Sequence, residues 1–199
     1  MTKPVVLASG SQTRREMLAY AGLDFDVRTA GVDEDAVKAA MVADDARPRD
    51  IADALADHKA RRVSSAVPGA LVIGCDQVLE FEGALLSKPT NRDEAAAQLR
   101  RLRNNKHVLL SAAVIYEAGE PVWRHVGKAG LRMRDFSDTF LVDYLDRNWP
   151  AIRASVGGYR IETEGIRLFS GIEGDYFTIL GLPLLEVLGY LTQRGVLKE

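Results

Sequence analysis

The chain has 199 residues, of which 47% are apolar and 27% are charged, and this composition is typical of a soluble globular protein. The formal net charge of -2 argues against a protein that holds nucleic acid through phosphate charge alone. A single cysteine, Cys75, excludes an internal disulfide bond, and no apolar run is long enough to span a bilayer. We expect a cytoplasmic protein that binds neither nucleic acid stably nor a membrane.

The first half of the chain alternates between predicted strands and helices. A helix follows the first strand and ends near Gly22, because glycine commonly follows the last helical turn. The second helix begins at Pro48, a residue suited to a first turn, and its apolar stripe includes Leu55 and Val63. The predicted strands cover residues 3–8, 25–30 and 70–75, and the second helix covers residues 48–66.

Two long strands with alternating apolar residues dominate the second half, and Gly119, Glu120 and Pro121 join them. Because strands alternate with helices early but look antiparallel here, the sequence predicts a mixed α/β fold with a cleft. A purely doubly wound sheet does not fit this order. The predicted strands are 107–117 and 122–134, the helices are 91–103, 137–148 and 183–193, and a turn lies at 80–83.

The first candidate site is the strand-to-helix junction Ser9-Gly10-Ser11. The first N–H groups of a helix are unpaired, and the helix dipole favours an anion there. Gly10 lets the backbone approach a ligand closely, and Arg14 and Arg15 could add contacts to phosphate. The junction therefore has the features of a phosphate site.

An ordinary capped helix is the alternative interpretation of this junction. Thr13 and Glu16 fit a capping box, and the two arginines would then belong to a solvated first turn. Positive charge at a helix N-terminus is unfavourable unless an anion binds there. The sequence leaves both interpretations open.

The second candidate is Asp76, which follows a run of apolar strand residues. We expect it at the carboxyl end of that strand, where α/β folds usually bind ligands. It could hold a divalent cation or act as a general base, or it could simply start a turn. Gln77 beside it is either a reader of a base or sugar or an ordinary strand residue.

Two lysines and an acidic segment are further candidates. Lys59 lies on the apolar stripe of the second helix, where a lysine either extends to solvent or points into a site. Lys88 precedes a proline that favours extended geometry; it suits phosphate, although surface lysines before turns are common. Glu34 lies among carboxylates, either in a solvated loop or as a second metal ligand with Asp76.

Glu162 follows an apolar residue, and we expect it at the end of a short strand, where it could face the cleft. The three histidines do not have the spacing of metal ligands, so we predict no zinc site. No serine–histidine–aspartate arrangement is supported either. Nucleophilic catalysis of that kind is therefore not expected.

In this order and spacing the segments resemble the Maf family of septum formation inhibitor-like nucleotide pyrophosphatases. LASGSQTRREML resembles the opening motif of the family, VDEDAV its acidic segment and LADHKA its lysine-bearing helix. VIGCDQV followed by SKP, GGYRIE and GDYFTILGLPL resemble its later motifs. The similarity covers nearly the whole chain, and the ordered set is far more specific than any one motif.

The resemblance implies a single Maf-like domain over residues 1–199, a mixed sheet with two lobes around a central cleft, related to inosine triphosphate pyrophosphatases. It implies hydrolysis of a nucleoside triphosphate to the monophosphate and pyrophosphate, with a divalent metal such as Mg²⁺ or Mn²⁺, in house-cleaning of the nucleotide pool. Asp76 would be the catalytic carboxylate and, with Glu34, a metal ligand. The phosphates would be bound by Ser9, Ser11, Arg14, Lys59 and Lys88.

The chain departs from the commonest family pattern at positions that the resemblance links to base selectivity. Thr13, Gln77 and Glu162 stand where a branch acting on dTTP and UTP has arginine, threonine and glutamine. The 7-methyl-GTP branch has tryptophan, glutamine and glutamate there, so the last two positions match it. We therefore expect a guanine-type substrate over dTTP and UTP. Gln12 and Ser87 also replace the usual proline and glycine.

The family name raises an alternative function of another class, a cell-division regulator that acts by binding rather than by catalysis. A catalytically inactive Asp76 variant that kept a division phenotype would favour that alternative. The resemblance is also compatible with a homodimer. The sequence leaves open the oligomeric state, the metal and the preferred base.

Overall fold

The computed structural model describes residues 3–198. Within them the chain forms two compact units. The first unit contains residues 3–77, 110–127 and 176–198, and the second contains Val78–Leu109 and Lys128–Asp175. No helix in this part of the chain is long and apolar enough to cross a membrane. The single domain and the central cleft stay predictions.

The described residues form seven strands and seven α-helices. The strands are β1 (Val5–Ala8), β2 (Asp26–Val27), β3 (Leu71–Phe81), β4 (Ala84–Leu86), β5 (Lys106–Glu117), β6 (Glu120–Met133) and β7 (Phe169–Glu173). The helices are α1 (Gln12–Tyr20), α2 (Glu34–Ala43), α3 (Pro48–Ser64), α4 (Arg92–Leu102), α5 (Asp138–Ile152), α6 (Tyr176–Leu180) and α7 (Leu184–Gln193). Both the early alternation and the long hairpin of β5 and β6 agree with the predicted order.

The strands pair in the order β2-β1-β3-β5-β6-β7, with β4 paired to β3. β1 runs parallel to β2 and β3, whereas β4 is antiparallel to β3 and β7 is antiparallel to β6. The predicted mixed α/β fold is therefore confirmed. The pairing of β1 with β3 ends where Ala8 lies opposite Gly74, so the chain leaves β1 beside the segment that contains Asp76.

The core of the first unit joins β1, β3 and β5 to helices α1 and α7. Leu18 of α1 and Leu191 of α7 are fully buried in it. The partly buried rings of Trp123 and Tyr190 stack against each other, with 5.5 Å between the ring centroids. Cys75 belongs to the same cluster. Because burial raises the pKa of its thiol to about 11, Cys75 is a protonated core residue and not a nucleophile.

Helix α3 packs against β3 through a glycine. A Cβ atom on Gly74 would lie 2.2 Å from the carbonyl oxygen of Ala56 and 2.6 Å from the backbone nitrogen of Ala60, so only glycine permits this approach. The predicted apolar stripe of α3 is buried, as expected. The close packing brings Lys59, which lies between these two alanines, next to the strand residue Asp76.

The second unit has a core around a buried histidine on β5. His107 is 1% exposed, and its Nε2 lies 2.7 Å from the hydroxyl oxygen of Tyr159. The ring of Phe169 lies edge-on to that of Tyr159. Because burial lowers the pKa of His107 to about 4, the imidazole is neutral at physiological pH.

The structure corrects several strand predictions. β3 continues to Phe81 instead of ending at residue 75, so Asp76 lies inside the strand and not at its carboxyl end. Its partner Lys59 compensates for the burial of a carboxylate, and the strand can therefore continue. β2 is only two residues long, and Glu162 lies in a turn rather than at the end of a strand. Neither β7 nor α6 was predicted.

Two helix N-termini also differ from the prediction. Ser11 caps α1 by accepting a hydrogen bond from the backbone N–H of Arg14, so Thr13 and Glu16 do not form the capping box. The acidic segment forms no solvated loop, because Asp33 caps α2 by accepting from the N–H of Ala36. Carboxylates suit a first helical turn. The alternative of a loop at Glu34 was therefore wrong.

Candidate functional site

The loop between β1 and α1 is shaped by hydrogen bonds among its own residues. The Oγ of Ser9 accepts from the N–H of Ser11 at 3.3 Å, and the Oγ of Ser11 accepts from the N–H of Arg14 at 3.4 Å. Ser9 is buried, whereas Gly10 is exposed. The loop therefore presents the start of α1, with its helix dipole, beside the end of the β1–β3 pairing.

Arg14 is buried and holds three parts of the first unit together. Its Nε donates to the carbonyl oxygen of Gly181 at 2.7 Å. Its Nη1 donates to the carbonyl oxygen of Cys75 at 3.1 Å and to the Oγ of Ser9 at 3.3 Å. These three bonds use Nε and Nη1, so Nη2 is the nitrogen through which Arg14 could bind a phosphate. Arg14 also fixes the backbone immediately before Asp76.

Asp76 is 4% exposed and forms an ion pair with Lys59 from α3. The Nζ of Lys59 lies 2.6 Å from Oδ1 of Asp76 and 2.8 Å from Oε1 of Glu34. One ammonium group therefore bridges two carboxylates. The sequence allowed Lys59 either to extend to solvent or to point into a site, and in the structure it points inward. Three predicted residues from three separate segments therefore meet at its ammonium group.

The second oxygen of Asp76 is buried without a hydrogen-bond partner among residues 3–198. An unpaired buried carboxylate oxygen is costly, so such an atom marks a position where a water, a metal ion or a substrate group would be stabilised. On the side of β1, the backbone pairing of β3 stops at Gly74, two residues before Asp76. Asp76 itself remains inside β3, so the prediction of a strand end is not met.

Gln77 points its amide nitrogen into the protein. The two hydrogens on its Nε2 are shared among three acceptors, the carbonyl oxygens of Thr178 and Ile179 in α6, at 3.1 and 2.9 Å, and the Oγ of Ser111 at 3.0 Å. Ser111 in turn donates its only hydroxyl hydrogen to the carbonyl oxygen of Thr178 at 2.7 Å. These acceptors fix the orientation of the amide, so its Oε1 is the atom that Gln77 could offer to a ligand.

The remaining predicted residues lie on other elements of the chain. Thr13 is half-buried in the first turn of α1. Lys88 is exposed in the loop after β4, and the preceding carbonyl of Ser87 accepts from Nε2 of Gln98 at 3.1 Å. The Oε1 of Glu162 accepts from Nε of Arg160 at 2.9 Å. Lys88 and Glu162 belong to the second unit, and their roles stay predictions.

Sequence reasoning missed three residues that shape the cluster, namely Ser111, Thr178 and Gly181. Ser111 is the one serine or threonine in β5, and a fully buried serine requires a partner; that signal could have been used. Gly181 has a backbone φ of +103°, and its carbonyl anchors Arg14. The backbone acceptors of α6 carry no sequence signal, because every residue type has a carbonyl group.

The fold and this cluster define a mixed α/β protein in which a helix N-terminus and a lysine-bridged carboxylate pair meet where β1 ends. The chain belongs to the family described as Maf-like protein, whose sequence profile matches residues 4–194. A relative from Ruegeria pomeroyi is 56% identical over 197 residues, covering 99% of each chain. Relatives from Roseobacter denitrificans and Caulobacter vibrioides are 57% and 51% identical, covering 97–98% of each chain. All three are named nucleoside triphosphate pyrophosphatase.

Proposed function

We propose that this protein hydrolyses a nucleoside triphosphate to the monophosphate and pyrophosphate. The observation that carries the proposal is the buried, unpartnered Oδ2 of Asp76 beside an ammonium group and the start of α1. The names of relatives that match over nearly their whole length support the same activity. House-cleaning of the nucleotide pool is the cellular role that we propose with it.

The chemistry requires neutralisation of the triphosphate and activation of a water molecule. The N–H groups at the start of α1, Nη2 of Arg14 and Nζ of Lys59 would stabilise negative charge on the phosphates. The carboxylate of Asp76 would accept a proton from the attacking water, as a general base does. Before the nucleotide binds, Lys59 would hold the carboxylate in position through its contact with Oδ1. Lys88 would add a further positive charge.

Glu34 and Asp76 would hold a divalent metal ion, Mg²⁺ or Mn²⁺. The residues fit this role, because both are carboxylates and Oδ2 of Asp76 lacks a partner within residues 3–198. No group of three or more potential metal-ligating side chains occurs in that part of the chain. The ion would therefore take its other ligands from water and phosphate, as Mg²⁺ commonly does. When bound, it would supply Lewis-acid stabilisation of phosphate charge.

A guanine-type base, with 7-methyl-GTP or a close relative as the substrate, is the preference that we propose. The amide hydrogens of Gln77 are directed at α6 and Ser111. The polar atom that Gln77 could offer to a base is therefore Oε1, which is an acceptor. An ionised Glu162 is also acceptor-only. The Watson–Crick edge of guanine offers N–H donors, whereas uracil and thymine offer one N–H between two carbonyls. Two acceptor groups therefore suit the guanine edge better than the edge of uracil or thymine.

Pyrophosphate release from 7-methyl-GTP, GTP, dTTP and UTP tests the proposal. We expect turnover of triphosphates, with kcat/KM highest for the guanine compounds, and a shift of the ranking in Glu162→Gln, because a mismatched polar contact costs roughly 1–3 kcal/mol once the bound base excludes water from it. Thr163→Ser, a neighbouring change that keeps the charge, serves as the control. No release from any triphosphate would contradict the activity, and a preference for UTP or dTTP would contradict the base assignment.

A further inference from the structure

Lys59 occupies the position between the two carboxylates that would hold a metal ion. Its Nζ lies within hydrogen-bond distance of both Asp76 and Glu34, and the side chain of Lys59 is only 10% exposed. The contact with Asp76, whose side chain is 6% exposed, is thus removed from the bulk solvent that would otherwise screen it, whereas the side chain of Glu34 is 33% exposed. In the absence of any ligand, the acidic pair already has a counter-ion.

We propose that Lys59 prevents this pair from binding a divalent metal until a triphosphate is present, so that metal and nucleotide bind to the site together. The inference rests on the proposed function, since the triphosphate is the ligand that relieves the restriction. A divalent cation shared by Asp76 and Glu34 would lie close to the ammonium group. Repulsion between the two cations is strong in a buried site, and it lowers the affinity of the free protein for metal.

A bound triphosphate offsets the repulsion between Lys59 and the metal ion. Its oxygens add several negative charges, which provide Lys59 with a new partner and the metal with further ligands. The ammonium then neutralises phosphate instead of competing for the carboxylates. Because coupling between two ligands is reciprocal, the metal must raise the affinity for the nucleotide by the same factor as the nucleotide raises the affinity for the metal.

Binding of Mn²⁺, measured from the electron paramagnetic resonance signal of the free ion, tests the inference without turnover. The wild-type protein is titrated alone and with a saturating guanosine triphosphate analogue whose α,β-bridging oxygen is replaced by a non-hydrolysable imido group. A protein-free titration of the analogue corrects for the Mn²⁺ that the triphosphate itself binds in solution. We expect the analogue to tighten Mn²⁺ binding by about 10- to 100-fold. Equal Mn²⁺ affinity with and without the analogue would overturn the inference.

The variant Lys59→Met removes the charge and keeps most of the side-chain volume. We expect it to bind Mn²⁺ alone about tenfold more tightly than the wild type, and to lose most of the dependence on the analogue. Lys3→Met, which makes the same change before β1, at the end of that strand opposite to Ala8, should leave both affinities unchanged. Weaker or unchanged Mn²⁺ binding by a folded Lys59→Met protein would refute the role of Lys59.

The two proposals fail in different ways. If pyrophosphate is released but Mn²⁺ binds equally well without nucleotide, the activity stands and the inference about Lys59 is wrong. If Mn²⁺ and the analogue bind cooperatively but no triphosphate is hydrolysed, the inference stands and the activity is wrong. If Lys59→Met does not fold, the comparison on the wild-type protein alone decides the inference.

Discussion

The packing of α3 on β3 predicts that Gly74→Ala damages both stability and activity. The new Cβ would lie 2.2 Å from the carbonyl oxygen of Ala56, whereas ordinary contact begins at 3.4 Å, so the helix would have to move by about 1.2 Å. The obstructing atoms belong to the backbone of α3, which cannot rotate away. The same movement would stretch the contact of 2.6 Å between Lys59 and Asp76 beyond hydrogen-bond distance.

Overpacking of this kind costs about 1–3 kcal/mol of unfolding free energy, and a displacement of about 1 Å in a catalytic site can lower the rate about 100-fold. Urea unfolding and kcat/KM for the preferred triphosphate measure the two effects. Gly69→Ala is the matched control, because a Cβ there meets nothing within 4 Å; it should change the free energy of unfolding by less than about 1 kcal/mol. Wild-type stability and activity in Gly74→Ala would refute the reasoning.

Two further predictions concern other buried groups. Arg14→Ala should lower the free energy of unfolding by about 2–4 kcal/mol in urea titrations, because the carbonyls of Gly181 and Cys75 lose their donor; unchanged stability would show that these bonds contribute nothing. The pKa of His107 is lowered from 6.5 to about 4, so the unfolded chain takes up a proton that the folded protein refuses. The free energy of unfolding should therefore have its full value above pH 6.5 and fall by up to about 3 kcal/mol as the pH drops to 4. Urea titrations at pH 7 and pH 4.5 measure this loss, and it should be smaller in His107→Phe.

The parts of the fold that the sequence predicted well are those with a local physical signal. Helix α4 begins after Asn91, whose side chain accepts from the N–H of Glu94, and the hairpin of β5 and β6 turns at Gly119, where φ is positive. Caps, turn glycines and apolar periodicity depend only on neighbouring residues. Predictions that rest on these local signals therefore remain valid when the rest of the chain packs around them.

The parts that failed depend on contacts between distant residues. Asp76 was expected to end a strand because a carboxylate rarely lies inside a buried one; its partner Lys59 comes from another element and removes that objection. The role of Gln77 depends on carbonyl groups of α6, which no side-chain pattern reveals. The sequence named Glu34, Lys59 and Asp76 as candidates, and the structure brings them into contact; the bridge formed by Lys59 could be found only from the structure.

Asp76→Asn tests the central claim most directly, because it keeps the shape of the side chain and removes its ability to accept a proton from water. Lys59 retains its contact with Glu34 in this variant, so the fold should persist, with a melting temperature close to that of the wild type. Pyrophosphate release from the preferred triphosphate should fall roughly 10²- to 10⁴-fold. Turnover close to that of the wild type, in a folded Asp76→Asn protein, would contradict the assignment of Asp76 as the general base.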